Sequence, residues 1–272
     1  MSADINSNVK MPVLFIGHGN PMNAVYNNAF TQTLASEGDA LKKLNPAAVL
    51  VVSAHWLSNG TRVSVSPNPP TIHDFSGFPE ELFHVQYPAP GAPNLAVYTK
   101  SIITFTPVEE DNKWGLDHGA WSILKHMFPL ANIPVFQLSI DYKKPPRWHF
   151  DLANDLKTLR DKNVLIIGSG NIVHNLYMVD FSDTAKPFPW AIEFDELVKT
   201  RLTDKNYDAL INYKDIGNSY LAVPSNDHYL PMMYILGLAD PEEELKFIYE
   251  EIQNATISMR SFKIGNLKGN FY

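Results

Sequence analysis

The chain has 272 residues and a formal net charge of −7. That length suits one large domain or two small ones, and the acidic balance disfavours nucleic acid and anionic membrane surfaces as partners. The absence of cysteine removes disulfides, thiolate catalysis and cysteine-type zinc sites.

In chain order, residues 1–10 read as a polar, flexible N-terminus without the apolar core of a secretory signal. The run VLFI at 13–16 predicts a buried strand that stops at Gly17, where His18 sits between two glycines. Residues 29–44 place Phe30, Leu34, Leu41 and Leu44 at helical spacing. Strands are predicted at 48–53 (AVLVVS) and 62–66 (RVSVS). Residues 67–93 are rich in Pro, Gly and aromatics; irregular segments of that length in compact domains usually serve as lids or binding loops. The acidic run Glu109, Glu110 and Asp111 reads as a solvated turn. Helices at 119–127 and 150–160 flank a strand at 135–140 (VFQLSI), and VLIIGS at 164–169 is another strand. Helices follow at 190–202, at 229–236 and at 241–254, which opens PEEE with acids suited to a helix start. The alternating run 256–264 predicts an edge strand. Near-continuous apolar strands interleaved with helices predict an α/β fold. The expectation is a single domain over 1–272, with a central, mostly parallel mixed sheet covered by helices on both faces. No run reaches the roughly 18 apolar residues of a membrane span, so a cytoplasmic protein is expected.

Nine histidines occur. His18, His55 and His174 follow predicted strands, and His118 and His228 precede predicted helices. Ligands in open α/β sheets bind at the carboxyl ends of strands, so these imidazoles are placed to converge. A single histidine is more often a local hydrogen-bonding residue, the reading that His73, His84, His126 and His149 take when each is considered alone. Other templates fit poorly. GSG at 168–170 is not GxSxG, GSGNIV is not GxGxxG, and neither a phosphate-binding loop nor HExxH is present. Spacing alone leaves a shared metal and separate structural roles equally open.

The ordered segments GHGNPM, SAHW, IHDFSGFPEELFHVQYPAPGAP, GLDHGAW, PVFQLSI, VLIIGSGNIVHNL and NDHYLPMMYILG resemble the class III extradiol ring-cleavage dioxygenases. Within them they resemble the 4,5-DOPA extradiol dioxygenase branch, over most of the chain. The resemblance implies a non-haem Fe(II) enzyme that opens the ring of a DOPA-like catechol with O2 to a semialdehyde. It implies His18, His55 and His228 as metal ligands, and His174 as either a fourth ligand or the acid/base. His118 would be a catalytic or substrate-contacting neighbour. An imidazole with an ordinary pKa near 6.5 suits acid/base work. Better-known relatives use two histidines and a carboxylate. Here the third position is His228, and adjacent Asp227 is expected to point elsewhere. An all-imidazole set also suits Zn(II), which could occupy the site in purified protein; a zinc-dependent hydrolase on the same histidines is the alternative.

In the long loop, His73, Asp74, Phe75, Phe78 and Tyr87 would wall the site and hold substrate. Phe75, Phe78 and Tyr87 equally suit packing beneath the loop. Ser169, Gly170 and Asn171 read as a turn that aims His174, and Trp56 and Trp121 as packing residues. The partners implied are a small catechol and O2, with no nucleic acid and no membrane. Oligomeric state is not readable.

Overall fold

The computed structural model describes residues 10–182 and 184–265. Six strands build one sheet: β1 (Val13–Gly17), β2 (Ala48–Ser53), β3 (Val135–Gln137), β4 (Val164–Gly170), β5 (Glu244–Tyr249) and β6 (Ser261–Gly265), in the spatial order β3-β2-β4-β1-β6-β5. The first four are mutually parallel, whereas β6 runs antiparallel to both β1 and β5. This is the mostly parallel mixed sheet expected from the pattern of apolar runs.

Successive side chains of a strand point to opposite faces, and the sheet sorts its apolar residues accordingly. Leu14, Ile16, Val49, Val51, Leu165 and Ile167 face α1 (Ala29–Lys42) and α2 (His118–Met127), meeting Phe30, Leu34, Trp121 and Leu124. Val13, Phe15, Leu50, Val52, Val164 and Ile166 face the opposite layer of α3 (Pro146–Leu152), α4 (Pro189–Thr203) and α5 (Leu230–Leu238). Full burial of each such side chain contributes about 1.5–3 kcal/mol, so both faces must be covered. Helix α5 is buried at every position, as its continuously apolar sequence requires. Asn28 and Thr31 close α1 with a reciprocal capping box, and the Asp117 carboxylate caps α2.

Register places the site. Gly17 pairs with Gly170, and Ser53 with Ser169, so β1, β2 and β4 leave the sheet at one level. The His18 and Ala54 amides extend the ladder, donating to the Gly170 and Ser169 carbonyls at 3.1 and 2.9 Å.

Several boundaries differ from the sequence expectation. The segment predicted as a helix at 241–254 is strand β5 followed by Ile252–Gln253. The acidic PEEE suits a helix start, but ELKFIY behind it has β-forming residues that pair with β6, and pairing prevails over the local signal. The predicted edge strand 256–264 divides into Ile257–Ser258 and β6, and β6 is interior because β5 lies outside it. The strand expected at 62–66 is Thr61–Ser64, and it lies outside the central sheet. It pairs with Val108–Asp111, so the acidic run read as a turn is a strand partly neutralised by Arg62. The run 135–140 breaks into β3 and Ile140–Asp141, and 150–160 starts earlier, at Pro146, and passes through a 3-10 turn. The segment 1–10 lies outside the described residues except for Lys10. No helix among the described residues is long and apolar enough to cross a membrane.

Candidate metal centre

Five histidines meet at the carboxyl edge of the parallel strands. His18 leaves β1, His55 lies just past β2, His174 follows β4, His118 opens α2, and His228 precedes α5. The rings of His18, His55 and His228 are mutually 5.0, 5.2 and 5.0 Å apart, centre to centre. An imidazole bound through nitrogen places its ring centre about 3.2 Å from the ion, so three such rings at tetrahedral angles stand about 5.2 Å apart. His118 lies closer to His55, at 3.8 Å, and 5.6 Å from His18. His174 stacks face to face on His228 at 3.6 Å with an 8° tilt. By ligand atoms, His18, His55 and His118 form one group within 4.8 Å, and His174, Asp227 and His228 form another. The ring triangle therefore shares His18 and His55 with the first atom group and His228 with the second.

Proton accounting shows what the His18–His55 pair needs. The Ser169 hydroxyl has one proton, which it donates to the Gly119 carbonyl at 2.6 Å. It must therefore accept from His18 Nδ1, 3.0 Å away. His55 Nδ1 lies 3.2 Å from Asp74 Oδ2, and because a carboxylate only accepts, this contact favours the tautomer with the proton on Nδ1. Both Nε2 atoms are left as lone pairs, and they face each other at 3.1 Å. Two lone pairs at that separation call for a positive charge between them, a shared proton or a metal ion. Burial, and then the neighbouring imidazoles, push the pKa values of His18 and His55 well below the ordinary histidine value. Neutral, buried imidazole nitrogens are the donor set a divalent transition metal takes.

The carboxylates around the cluster were only partly legible in sequence. Asp74 Oδ1 accepts the His118 amide at 2.9 Å and lies 3.0 Å from His118 Nδ1. That ring nitrogen is off the line of an ideal hydrogen bond and has no hydrogen-bond partner among the described residues. Burial raises the Asp74 carboxyl pKa, but the hydrogen bond and charge of His118 more than reverse this. Asp227 was expected to point away. Instead its Oδ2 bonds His228 Nδ1, the neighbouring ring, and after the opposing effect of burial this contact holds its pKa well below the carboxylate range. Burial, then His228, lowers the His174 pKa, against a smaller opposing pull from Asp227. The His174 amide donates to Ala222 at 2.9 Å, but no hydrogen bond to its ring is seen among the described residues.

Two glycines make the approach possible. Gly19 has φ +64°, and a Cβ there would strike the Met259 thioether; a Cβ on Gly119 would meet His55 Cδ2 at 2.9 Å. Ser169 and Gly170 belong to β4, not to a turn, and Asn171 holds the His228 carbonyl with its amide at 2.9 Å rather than simply aiming His174.

The loop residues divide. Phe75 sets its ring edge-on to His118 at 5.5 Å, with Phe78 against it at 5.4 Å. His73 turns back into its own loop, 3.0 Å from the Val85 carbonyl. Tyr87 is buried and donates to the Phe128 carbonyl at 3.0 Å, at the opposite end of α2 from His118. Trp121 is wholly buried, its indole donating to the Ile72 carbonyl at 2.8 Å, and Trp56 stacks on Trp114 at 5.5 Å. His126 approaches the Asn23 carbonyl at 2.8 Å, and exposed His84 lies 3.7 Å from Glu80.

Comparison with known proteins gives a consistent picture. The family model described as the catalytic LigB subunit of aromatic ring-opening dioxygenase matches residues 11–263. A protein of Escherichia coli K12 named 4,5-DOPA dioxygenase extradiol is 43% identical over 265 residues, covering 96% of this chain and 97% of its own. A Beta vulgaris protein of the same name is 35% identical over 259 residues, covering 92% and 94%. The crystal structure of an uncharacterized protein, JW3007, from Escherichia coli K12 superposes with a TM-score of 0.82 at 40% identity, over 94% of this chain and 100% of that one.

Proposed function

The chain belongs to the LigB family of extradiol ring-opening dioxygenases, and from that premise we propose that it cleaves the ring of a DOPA-like catechol with O2 to a semialdehyde acid. The observation that carries this reading is the pair of facing Nε2 atoms of His18 and His55, 3.1 Å apart, with His18 Nδ1 bonded to Ser169 and His55 Nδ1 turned to the Asp74 carboxylate. His228 is the third ligand in this reading, because its ring closes the 5 Å triangle and Asp227 holds its Nδ1, leaving Nε2 as the donor. A bound ferrous ion supplies a redox-active Lewis acid on which catechol and O2 meet. Zinc fits the same nitrogens, and the alternative of a zinc hydrolase is not favoured by the family.

The chain's own residues do the rest. His174 stacks on His228 and its ring forms no hydrogen bond among the described residues, so a nitrogen is available to take the proton of a catechol hydroxyl and return it later. His118, held by Asp74, and Phe75 form the wall on the His55 side. Apolar rings there exclude water and hold a flat substrate. His73 and Tyr87 support that wall from within the loop and core. The chain works as one catalytic domain in the cytoplasm.

The test is oxygen uptake after anaerobic Fe(II) loading, with L-DOPA as substrate. Uptake with a yellow ring-opened product is expected. A protein with one bound Fe(II) and no uptake on DOPA or simpler catechols refutes the proposed substrate class.

A further inference from the structure

We infer that Asp74 is a positioning residue that sets the proton positions of the metal centre: its single carboxylate, carried on the long loop, fixes which nitrogen of His55 is free to bind metal and holds His118 beside it. The inference rests on the reading of His55 as a ligand, and not on the identity of the substrate.

The geometry is specific. Oδ2 faces His55 Nδ1 at 3.2 Å, while Oδ1 accepts the His118 amide at 2.9 Å and faces His118 Nδ1 at 3.0 Å. Both oxygens are therefore used, on two imidazoles from two different elements, the exit of β2 and the start of α2. Because a carboxylate cannot donate, this contact favours the His55 tautomer with its proton on Nδ1 and a lone pair at Nε2, the atom that faces His18. His118 Nδ1 is a buried polar atom 3.0 Å from this carboxylate. The other two histidines of the triangle have separate arrangements, Ser169 for His18 and Asp227 for His228. Asp74 faces two rings at hydrogen-bonding range and comes from the loop. The loop's placement and the metal site's proton pattern are thereby tied together. Partners of this kind behind metal-binding histidines typically change metal affinity or activity by about 10–100-fold when removed.

The role makes an unusual demand on substitutions. In Asp74→Asn, the amide oxygen keeps the His118 amide and the NH2 group then faces His55 Nδ1–H. Two donors oppose each other, so His55 is driven to move its proton to Nε2, where it blocks metal. In Asp74→Ala, water reaches His55 Nδ1, because the Asp74 side chain is already 19% exposed, and Nε2 stays free. The isosteric change should therefore be the more harmful one. A residue that merely fastened the loop would show the reverse order.

The experiment is competitive titration of Co(II) into wild type, Asp74→Asn and Asp74→Ala, with thermal unfolding of each metal-free protein as a folding control. Expected is a loss of affinity of about 10–100-fold in Asn, a smaller loss in Ala, and an altered visible Co(II) spectrum in Asn. Equal Co(II) binding by Asn and wild type, or a milder effect of Asn than of Ala, overturns the inference. Imidazole nitrogen NMR of Zn(II)-loaded wild type keeps the question decidable should Asn fail to fold. A slowly exchanging His55 Nδ1–H is expected, and a proton on Nε2 overturns the inference. Wild type that binds Co(II) yet opens no catechol removes the proposed activity and leaves this inference standing.

Discussion

His149 and His18 are both buried, at 0% and 2% exposure, the first in a helical layer packed against the central sheet and the second at the carboxyl edge of the sheet. His149, on α3, meets the Tyr234 hydroxyl of α5 at 2.9 Å inside an apolar layer. Its pKa is lowered to about 4, chiefly by burial. His18 is lowered by burial too, but also by three other imidazoles around it. Burial alone gives a neutral histidine that packs. Convergence of several neutral histidines, with Nδ1 protons engaged and Nε2 lone pairs facing one another, gives a cation site. The difference lies in topology. Three parallel strands end level at the site, whereas α3 brings its histidine to a place no other imidazole reaches.

The largest effect that can break this contrast is expected from His18→Ala. It removes one of the two facing nitrogens and should abolish stoichiometric metal binding and oxygen uptake in a protein that still folds. Metal analysis with circular dichroism checks this, and an active, metal-loaded variant would end the reading of His18 as a ligand. His174→Gln tests the ring that stacks on His228 and forms no hydrogen bond among the described residues. Turnover should fall by about 10²–10⁴-fold, while Co(II) affinity stays near that of wild type. Loss of metal with loss of turnover would make His174 a fourth ligand instead.

His149 tests the other side of the contrast through pH. Its folded pKa of about 4 lies below the ordinary 6.5, so the unfolded chain takes up a proton first as pH falls. Stability is unaffected by this group above about pH 6.5, is lost progressively as pH falls toward 4, and then levels off. The gap corresponds to about 3 kcal/mol at 1.36 kcal/mol per unit. Across that window, the stability that denaturant titrations report should fall by this much more in wild type than in His149→Gln. Parallel curves would show that His149 is not buried neutral in the native state.

The core of this arrangement was readable from residues. The apolar runs at β1, β2 and β4 placed the strands, and the histidines just beyond them marked the edge at which they end. What could not be read is what long-range pairing decides. ELKFIY joins the sheet only because β6 is available beside β1, and nothing within 241–254 announces that partner. The same holds around the cluster. Ser169 reaches His18 because β4 lies next to β1, and Asp74 reaches His55 and His118 because a loop folds across two element ends. The Asp227–His228 bond is local, and adjacent residues of those types were a visible signal.

Tyr87 gives the finest test, because the long loop contributes both to the wall of the site and to the core beneath it. Its backbone amide is held by the Thr71 hydroxyl at 2.9 Å and its own hydroxyl by the Phe128 carbonyl at 3.0 Å. Phe128 follows the ten-residue helix that His118 begins, and ten residues of helix span about 15 Å, so the phenol points away from the imidazoles. Burial raises its pKa above the ordinary tyrosine value, so it remains a neutral donor at any working pH. Tyr87→Phe keeps the ring and deletes one buried hydrogen bond, which should cost about 1 kcal/mol of stability and leave KM for a catechol unchanged. A raised KM at unaltered stability would move Tyr87 from the core to the substrate wall, and the loop would then contribute more than Asp74 and Phe75 to the site.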